Sequence, residues 1–391
     1  MSTSTAIMNT YARLPVEFSR GQGIWLYDQH NKAYLDALSG IAVCGLGHAH
    51  PAVTEAICRQ AGQLLHTSNL YHISSQQRLA ERLCAISGMD NVFFCNSGAE
   101  ANEAAIKMAR LFGHKKGIDI PNILVFDHAF HGRTLATLSA SGNRKIQAGF
   151  EPLTKGFVRA PYDDLAAVET IAKNNPNIVA VLVEPVQGEG GVHIASAAFL
   201  DGLRRLCDEH DWLLMLDEVQ TGNGRTGQYF AFQHHDWLPD VLSTAKGLGN
   251  GIPVGATFAH GKAAGLFGPG NHGSTFGGNP FATSVALATV TTLVDDGVVA
   301  NAAQMGDYLL KGLQQRLGDK PFVRQIRGHG LMLGIELNRD CGELVGKALE
   351  QGLLINVTAG SVIRLLPPLI ISTDEADQLL DGIDRLLSDF S

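Results

Sequence analysis

Residues 212–251 read WLLMLDEVQTGNGRTGQYFAFQHHDWLPDVLSTAKGLGNG. The opening apolar run, Trp212 to Leu216, is too short for a helix and ends on the acidic pair Asp217-Glu218, so it reads as a buried strand. A second run, residues 241–243, ends just before Lys246. In an open parallel sheet, ligands bind beyond the carboxyl ends of the strands. The two runs therefore set a carboxylate, Asp217, and an amine, Lys246, on one rim, one strand apart. Lysines usually lie in solvent. Here, however, residues 245–251 carry no other charge, and their glycines keep the backbone close to whatever the lysine holds. A lysine so placed can be desolvated, lose its proton and act as a Schiff-base nucleophile.

The same rhythm extends outward. Residues 92–95, 123–126 and Ile178–Val183 also read as buried strands, and helical patterns lie between them. One helix spans residues 100–112, with apolar positions at 101, 104, 105, 108, 111 and 112; another spans 197–210. Strands alternating with helices imply right-handed crossovers and an α/β fold with a mainly parallel sheet. The chain ends differ. Residues 23–28 and 32–36 flank Gln-His-Asn as a hairpin. The last third carries strand patterns at 331–337, 353–356 and 362–366. It closes on a helix with the stripe Ala376, Leu379, Leu380, Ile383, Leu386, Leu387 and Phe390, for which Ser372 and Glu375 are spaced as a capping box. The expected organisation is a large domain over 46–282. Residues 1–45 and 283–391 then build a smaller α+β domain from both termini.

Bulk properties narrow the function. At 391 residues the chain exceeds one ordinary compact domain. Charged residues are 17%, below the roughly 25% usual for soluble chains, so much surface is expected to be buried in a large core or against another subunit. A net charge of −8 argues against a nucleic-acid partner, whose phosphates demand a basic face. The start, MSTSTAIMNTYARLP, has no basic segment followed by an apolar run, so no secretory leader is expected. The longest apolar runs fall far short of a membrane span. Cysteines 44, 58, 84, 95, 207 and 341 are scattered with no CxxC pair, as in a cytoplasmic protein with reduced thiols.

Other candidate motifs divide into weak and strong. An acidic strand end suits nucleotide hydrolysis only beside a GxxxxGK[ST] loop, and the chain has none. Gly222-Asn-Gly224-Arg-Thr-Gly227 matches GxGxxG, the one feature of a nicotinamide enzyme. Its first glycine lies five residues beyond Asp217, though, and the following QYFAF does not start a helix, so a glycine-rich turn describes it better. Neither His128 with His131 nor His48 with His50 has further metal ligands at useful spacing. Asn96-Ser-Gly-Ala-Glu100 bridges a strand end and a helix start, as an anion site or as a simple N-cap. Phe126-Asp-His-Ala-Phe-His-Gly-Arg133 offers an aromatic face beside an arginine. One rim thus gathers an anion nest, an aromatic plate, a carboxylate, an amine and an arginine. Pyridoxal phosphate requires that set for its phosphate, ring, pyridine nitrogen and aldehyde.

The segments NSGAEANEA (96–104), AFHGRT (129–134), VEPVQGEGGV (183–192), LDEVQTGNGRTG (216–227), STAKGLGNGIPVGA (243–256) and HGSTFGGNP (272–280) resemble the signatures of class III aminotransferases of fold type I. The resemblance runs from the hairpin at Gly23 to the terminal helix. TYARLPVEF (10–18) and LSGIAVCGLGHAHP (38–51) bring it nearest the branch that acts on N2-acetylornithine in arginine biosynthesis. It implies pyridoxal 5'-phosphate as cofactor, held by Gly98 and Ala99 at its phosphate and by Phe130 at its ring. Asp217 would pair with the pyridine nitrogen and Gln220 would lie near the phenolic oxygen. Lys246 would carry the cofactor covalently and move the proton. Ala99 departs from the threonine of many relatives, but a backbone phosphate contact survives that change. The resemblance further implies Arg133 at a substrate carboxylate, Ser274 beside the substrate, and Arg364 gripping the α-carboxylate of glutamate with Glu189 as its cover. Thr275 would touch the phosphate in a neighbouring subunit, making a homodimer the smallest active unit. By the same resemblance the expected pair is N2-acetylornithine with 2-oxoglutarate, a 2-oxo acid, giving N-acetylglutamate semialdehyde and glutamate; the alternative donors are ornithine, 4-aminobutyrate or succinyl-diaminopimelate. A non-catalytic binding protein on this fold would have no need of both Asp217 and Lys246.

Overall fold

Seven strands form the central sheet in the computed structural model, which describes residues 6–388 and 390. The first five residues of the segment read for a leader lie outside the described residues. In spatial order the strands are Asn91–Cys95, Gly255–Ala259, Val241–Thr244, Leu213–Asp217, Ile178–Val183, Asn122–Phe126 and Phe157–Ala160. Five of them, from Val241–Thr244 onward, run parallel. Gly255–Ala259, which the sequence pattern does not single out, is antiparallel to both its neighbours. All residues of Ile178–Val183 and Leu213–Asp217 are buried, which explains their unbroken apolar runs: helices cover both faces of a parallel sheet.

The covering helices show why their sequences suit them. The expected helix at 100–112 is longer, Gly98–Lys115, and presses Ala101, Ala104, Ala105, Ala109 and Phe112 toward the sheet, the alanines allowing close approach. On the opposite face Ala197–Glu209 buries Phe199, Leu203 and Leu206, each contributing about 1.5–3 kcal/mol by leaving water.

Both chain ends build further sheets. The hairpin is present as Trp25–Asp28 and Ala33–Asp36, with Phe18–Gln22 added at its edge. The stretch 353–356 does not form one strand: Leu353–Leu354 joins the N-terminal sheet beside Ala33–Asp36, and Asn356–Thr358 pairs with Val362–Leu365. Ile355 sits buried at the switch between the two sheets, which is why the apolar pattern runs through the break. Val323–His329, Met332–Leu337, Val362–Leu365 and Asn356–Thr358 make the last four-stranded sheet. The terminal helix, Thr373–Leu387, has its capping box: Glu375 N donates to Ser372 Oγ and Ser372 N donates to Glu375 Oε2. Among the described residues no single helix is long and apolar enough to cross a membrane.

Candidate active site

A cavity of about 450 Å³ opens where the central strands end. Parallel pairing sets Asp217 beside Ser243, and three residues later Lys246 turns into the cavity with a left-handed φ of 44°. Asp217 and Lys246 line it together, as the sequence spacing implied. Burial holds the Lys246 ammonium down, to about 8, against the opposing pull of Glu189. The amine is thus free of its proton far more often than a surface lysine.

Asp217 is 4% exposed and sits in a donor network. Its Oδ2 accepts from Asn102 Nδ2 at 2.7 Å and pairs with His131 Nδ1 at 2.7 Å; its Oδ1 accepts from Val219 N at 3.0 Å. Asn102 is itself fixed, because Ser243 Oγ donates to its Oδ1 at 2.6 Å. Neither Asn102 nor His131 had a role in the sequence reading. Asn102 lies within the quoted NSGAEANEA, one turn into the helix on the face toward Asp217, so helical periodicity could have found it. His131 was weighed only as a metal ligand, and its proximity to Asp217 has no local signal.

Ser97 caps the helix Gly98–Lys115, its side chain accepting from Glu100 N. The free N–H groups of Gly98 and Ala99 line the cavity at that positive end. A Cβ on Gly98 would lie 2.6 Å from Val219, so only glycine permits this approach. Phe130 lines the same space, its backbone N–H donating to Glu184 Oε2 at 3.0 Å. Glu184, in the quoted VEPVQGEGGV but given no role there, is buried beside Asp217. Burial, then the Asp217 charge, pushes its carboxyl well above the usual range. Arg133 also lines the cavity, exposed, its guanidinium 5.7 Å from the Phe130 ring.

Arg364 is fully buried behind Glu189, with Nη1 2.6 Å from Glu189 Oε1 and 3.2 Å from Gln220 Oε1, and Nε donating to Asn356 Oδ1. Its Nη2 is buried without a partner. Burial raises the Glu189 carboxyl, but the charge and hydrogen bond of Arg364 outweigh it and hold the group below its ordinary value. Ser274 and Thr275 do not line this cavity. Ser274 Oγ accepts from Asn96 Nδ2 at 3.1 Å and from Gly277 N at 3.0 Å, while Thr275 is exposed at the surface.

The GxGxxG stretch opens no helix. Gly224 and Gly227 take φ of 89° and 86°, and the turn between them buries Arg225. Arg225 Nη1 donates to Leu331 O at 2.9 Å and Pro367 O at 2.6 Å, so the turn ties the central sheet to the C-terminal one. Tested against pyridoxal phosphate, the donor set fits. A helix N-terminus whose glycine admits no Cβ faces the cavity, with an aromatic ring, a hydrogen-bonded carboxylate and a desolvated amine beside it.

The chain matches the model of the family described as aminotransferase class-III over residues 6–387. It is 56% identical over 384 residues to an acetylornithine aminotransferase of Nitrosomonas europaea, covering 98% of each chain. Its structure is similar to the ornithine aminotransferase of Toxoplasma gondii, with a TM-score of 0.94, 35% identity, and 98% and 92% of the two chains covered. It is also similar to the N-acetylornithine aminotransferase of Stenotrophomonas maltophilia, with a TM-score of 0.84, 36% identity and 97% of each chain covered. With a carboxylate, an amine and an anion site on one rim, and likeness along its whole described length, the chain belongs to the class III aminotransferase family.

Proposed function

We propose that this chain is a pyridoxal-phosphate-dependent enzyme that moves the ω-amino group of N2-acetylornithine to 2-oxoglutarate, giving N-acetylglutamate semialdehyde and glutamate. The observation that carries this reading is the Glu189–Arg364 pair, 2.6 Å apart, with Glu189 on the wall of the cavity that holds Lys246 and Arg364 buried behind it. An ω-amino donor reacts at the end remote from its α-carboxylate, whereas glutamate brings a carboxylate to the reacting carbon. One cavity must serve both. With the ω-amine, Glu189 neutralises Arg364 and the donor's carboxylate goes to Arg133. With glutamate, Glu189 swings aside, Arg364 takes the α-carboxylate and Arg133 the distal one. A buried arginine without a counter-charge costs several kcal/mol, so the cover matters most when the ω-amine is bound.

The remaining roles follow from position. Gly98 and Ala99 would hold the cofactor's phosphate, Phe130 its ring, Gln220 its phenolic oxygen and Asp217 its protonated pyridine nitrogen. When bound, the cofactor supplies an electron sink that weakens a C–H bond on the amine-bearing carbon. Lys246 Nζ takes that proton and returns it, which its depressed basicity suits near neutral pH. Ser274 and Thr275 belong to the neighbouring subunit's site in a homodimer. Support comes from the exposure of Thr275 and from Leu64, Leu65, Leu70, Tyr71 and Phe276, large apolar side chains left exposed beside them. The chain divides at 46 and 283, in keeping with a central sheet drawn from 91 to 259 and smaller sheets drawn from both ends. The setting is the cytoplasm, in keeping with six unpaired thiols.

Initial rates with N2-acetylornithine, ornithine, 4-aminobutyrate and succinyl-diaminopimelate test the donor, N2-acetylornithine being expected fastest. Glu189→Ala should slow the acetylornithine half-reaction and spare the glutamate one, and Arg364→Ala should do the reverse. Equal losses in both half-reactions for both variants, followed by stopped-flow absorbance, would refute the switch.

A further inference from the structure

The turn that carries Glu189 is held from behind by a second arginine. Strands Val186–Gln187 and His193–Ile194 pair antiparallel, Gln187 opposite His193, and residues 188–192 form the turn between them. Glu189 stands near its tip between Gly188 and Gly190, and the chain reverses through φ of 120° at Gly191 and 55° at Val192. One foot is fixed by Gln187 Nε2, which donates to Asp127 O at 2.7 Å. The other foot is fixed by Arg327. Its Nε donates to Val192 O at 2.9 Å and Gly191 O at 3.2 Å, and its Nη2 donates to Gly191 O at 2.6 Å. The guanidinium is aimed by its own partners, Nη1 donating to Gln325 Oε1 at 2.7 Å and Glu336 Oε2 at 2.6 Å. At the tip, Thr358 Oγ1 donates to Glu189 O. The turn is therefore bonded to the C-terminal sheet through the backbone carbonyls of Glu189, Gly191 and Val192, while only the Glu189 side chain reaches Arg364. It has little slack: a Cβ on Gly190 would lie 2.9 Å from His128 O.

We infer that Arg327, oriented by Glu336, is a positioning residue that keeps Glu189 over Arg364 and so sets the preference between ω-amino donors and dicarboxylate partners. The inference rests on the Glu189–Arg364 switch proposed above. With the carbonyls of Gly191 and Val192 fixed, Glu189 leaves Arg364 by rotating its side chain against a stationary backbone. Without Arg327 those carbonyls lose their partner inside the protein, and the turn shifts to find another. An ion pair of 2.6 Å does not survive such a shift intact, so the covered state loses population to the uncovered one.

The test compares the two half-reactions of the holoenzyme by stopped-flow absorbance, alongside spectral titration with glutarate, an unreactive dicarboxylate. Arg327→Ala should lower kcat/KM for the acetylornithine half-reaction on the order of tenfold, leave the glutamate half-reaction nearly unchanged and tighten glutarate binding. Arg327→Lys, which can reach one carbonyl, should recover part of the ratio. In a Glu189→Ala background, Arg327→Ala should leave the ratio where Glu189→Ala put it, because it acts through that side chain. Glu336→Gln retains the guanidinium but removes the charge that aims it at the carbonyls, and serves if Arg327→Ala does not fold; it should shift the ratio the same way by less. Equal losses in both half-reactions, or an undiminished Arg327→Ala effect without Glu189, would overturn the inference. If Glu189→Ala alone leaves the ratio unchanged, the switch itself fails. If Glu189→Ala moves the ratio and neither Arg327→Ala nor Glu336→Gln does, only the role of Arg327 fails.

Discussion

At the scale of single residues, Asp217 shows how a site is made by partners that sequence spacing does not pair with it. Three donors converge on its two oxygens, from Asn102, His131 and Val219. An ionised carboxylate offers only acceptors, so this environment suits aspartate and opposes its amide. Asp217→Asn would turn an N–H toward donors at Oδ1 or Oδ2, and it would remove the charge proposed to hold the cofactor's nitrogen protonated. The expected result is a folded protein whose kcat falls by about 10²–10³-fold or more. Circular dichroism checks the fold and steady-state assay the rate; a near-normal kcat would separate Asp217 from the chemistry. The acid and its lysine were legible because strand ends announce themselves in a doubly wound sheet. Helical periodicity puts Asn102 on the buried face of its helix, but the meeting of Asn102 and His131 at Asp217 depends on three-dimensional packing.

Among the elements, the segment after the N-terminal hairpin is the one that local sequence described least. Ser39, Gly40, Ile41 and Ala42 take successive left-handed φ values of 47°, 64°, 66° and 59°. For the non-glycine residues this costs about 1–2 kcal/mol each. Asp36 holds the turn, its Oδ1 accepting from Leu38 N at 3.0 Å and Ser39 N at 2.8 Å, and the turn delivers Val43 to the cavity wall. The other Asp36 oxygen lies 2.8 Å from His48 Nε2. Burial works against the His48 imidazolium, but the Asp36 bond and charge, helped by Cys44, outweigh it and raise the group to about 9. A raised folded value means that stabilisation is complete below the unfolded value near 6.5 and is lost as pH climbs through about 9. Denaturant midpoints of the ligand-free protein should therefore fall between pH about 6.5 and about 9, and His48→Gln should flatten that slope. A wild-type slope that survives the substitution would remove His48 from the account. Elements set by local rules fared better. The capping box of Thr373–Leu387 and the hairpin follow from side chains within a few residues of each other, whereas Gly255–Ala259 takes one of its two partners from Asn91–Cys95, far away in sequence.

On the scale of the whole molecule, the low charged fraction and the apolar surface have one explanation in common. Leu65, His66, Asn69 and Phe276 meet in one region: Phe281 N donates to Leu65 O, Asn69 Nδ2 donates to Ser274 O at 3.2 Å, and the His66 and Phe276 rings lie 5.4 Å apart. Leu70 is 86% exposed there, an arrangement that a lone chain in water does not favour. The mainly parallel sheet was legible from period and alternation. The expectation that Ser274 and Thr275 serve a neighbouring subunit came only through resemblance, and neither residue lines the cavity of its own chain. If a two-fold dimer brings that corner to the partner's cavity, each site takes Lys246 from one chain and Thr275 from the other. Lys246→Ala homodimers should then be inactive, and Thr275→Ala homodimers weakened in cofactor retention. A heterodimer of the two variants holds one site with both residues intact and one with neither, and should show about half the wild-type rate. Co-expression with two affinity tags isolates that species, and its bound cofactor can be measured independently of turnover. A verified heterodimer no more active than the Thr275→Ala homodimer would mean that each subunit is self-contained and that the exposed apolar region serves another purpose.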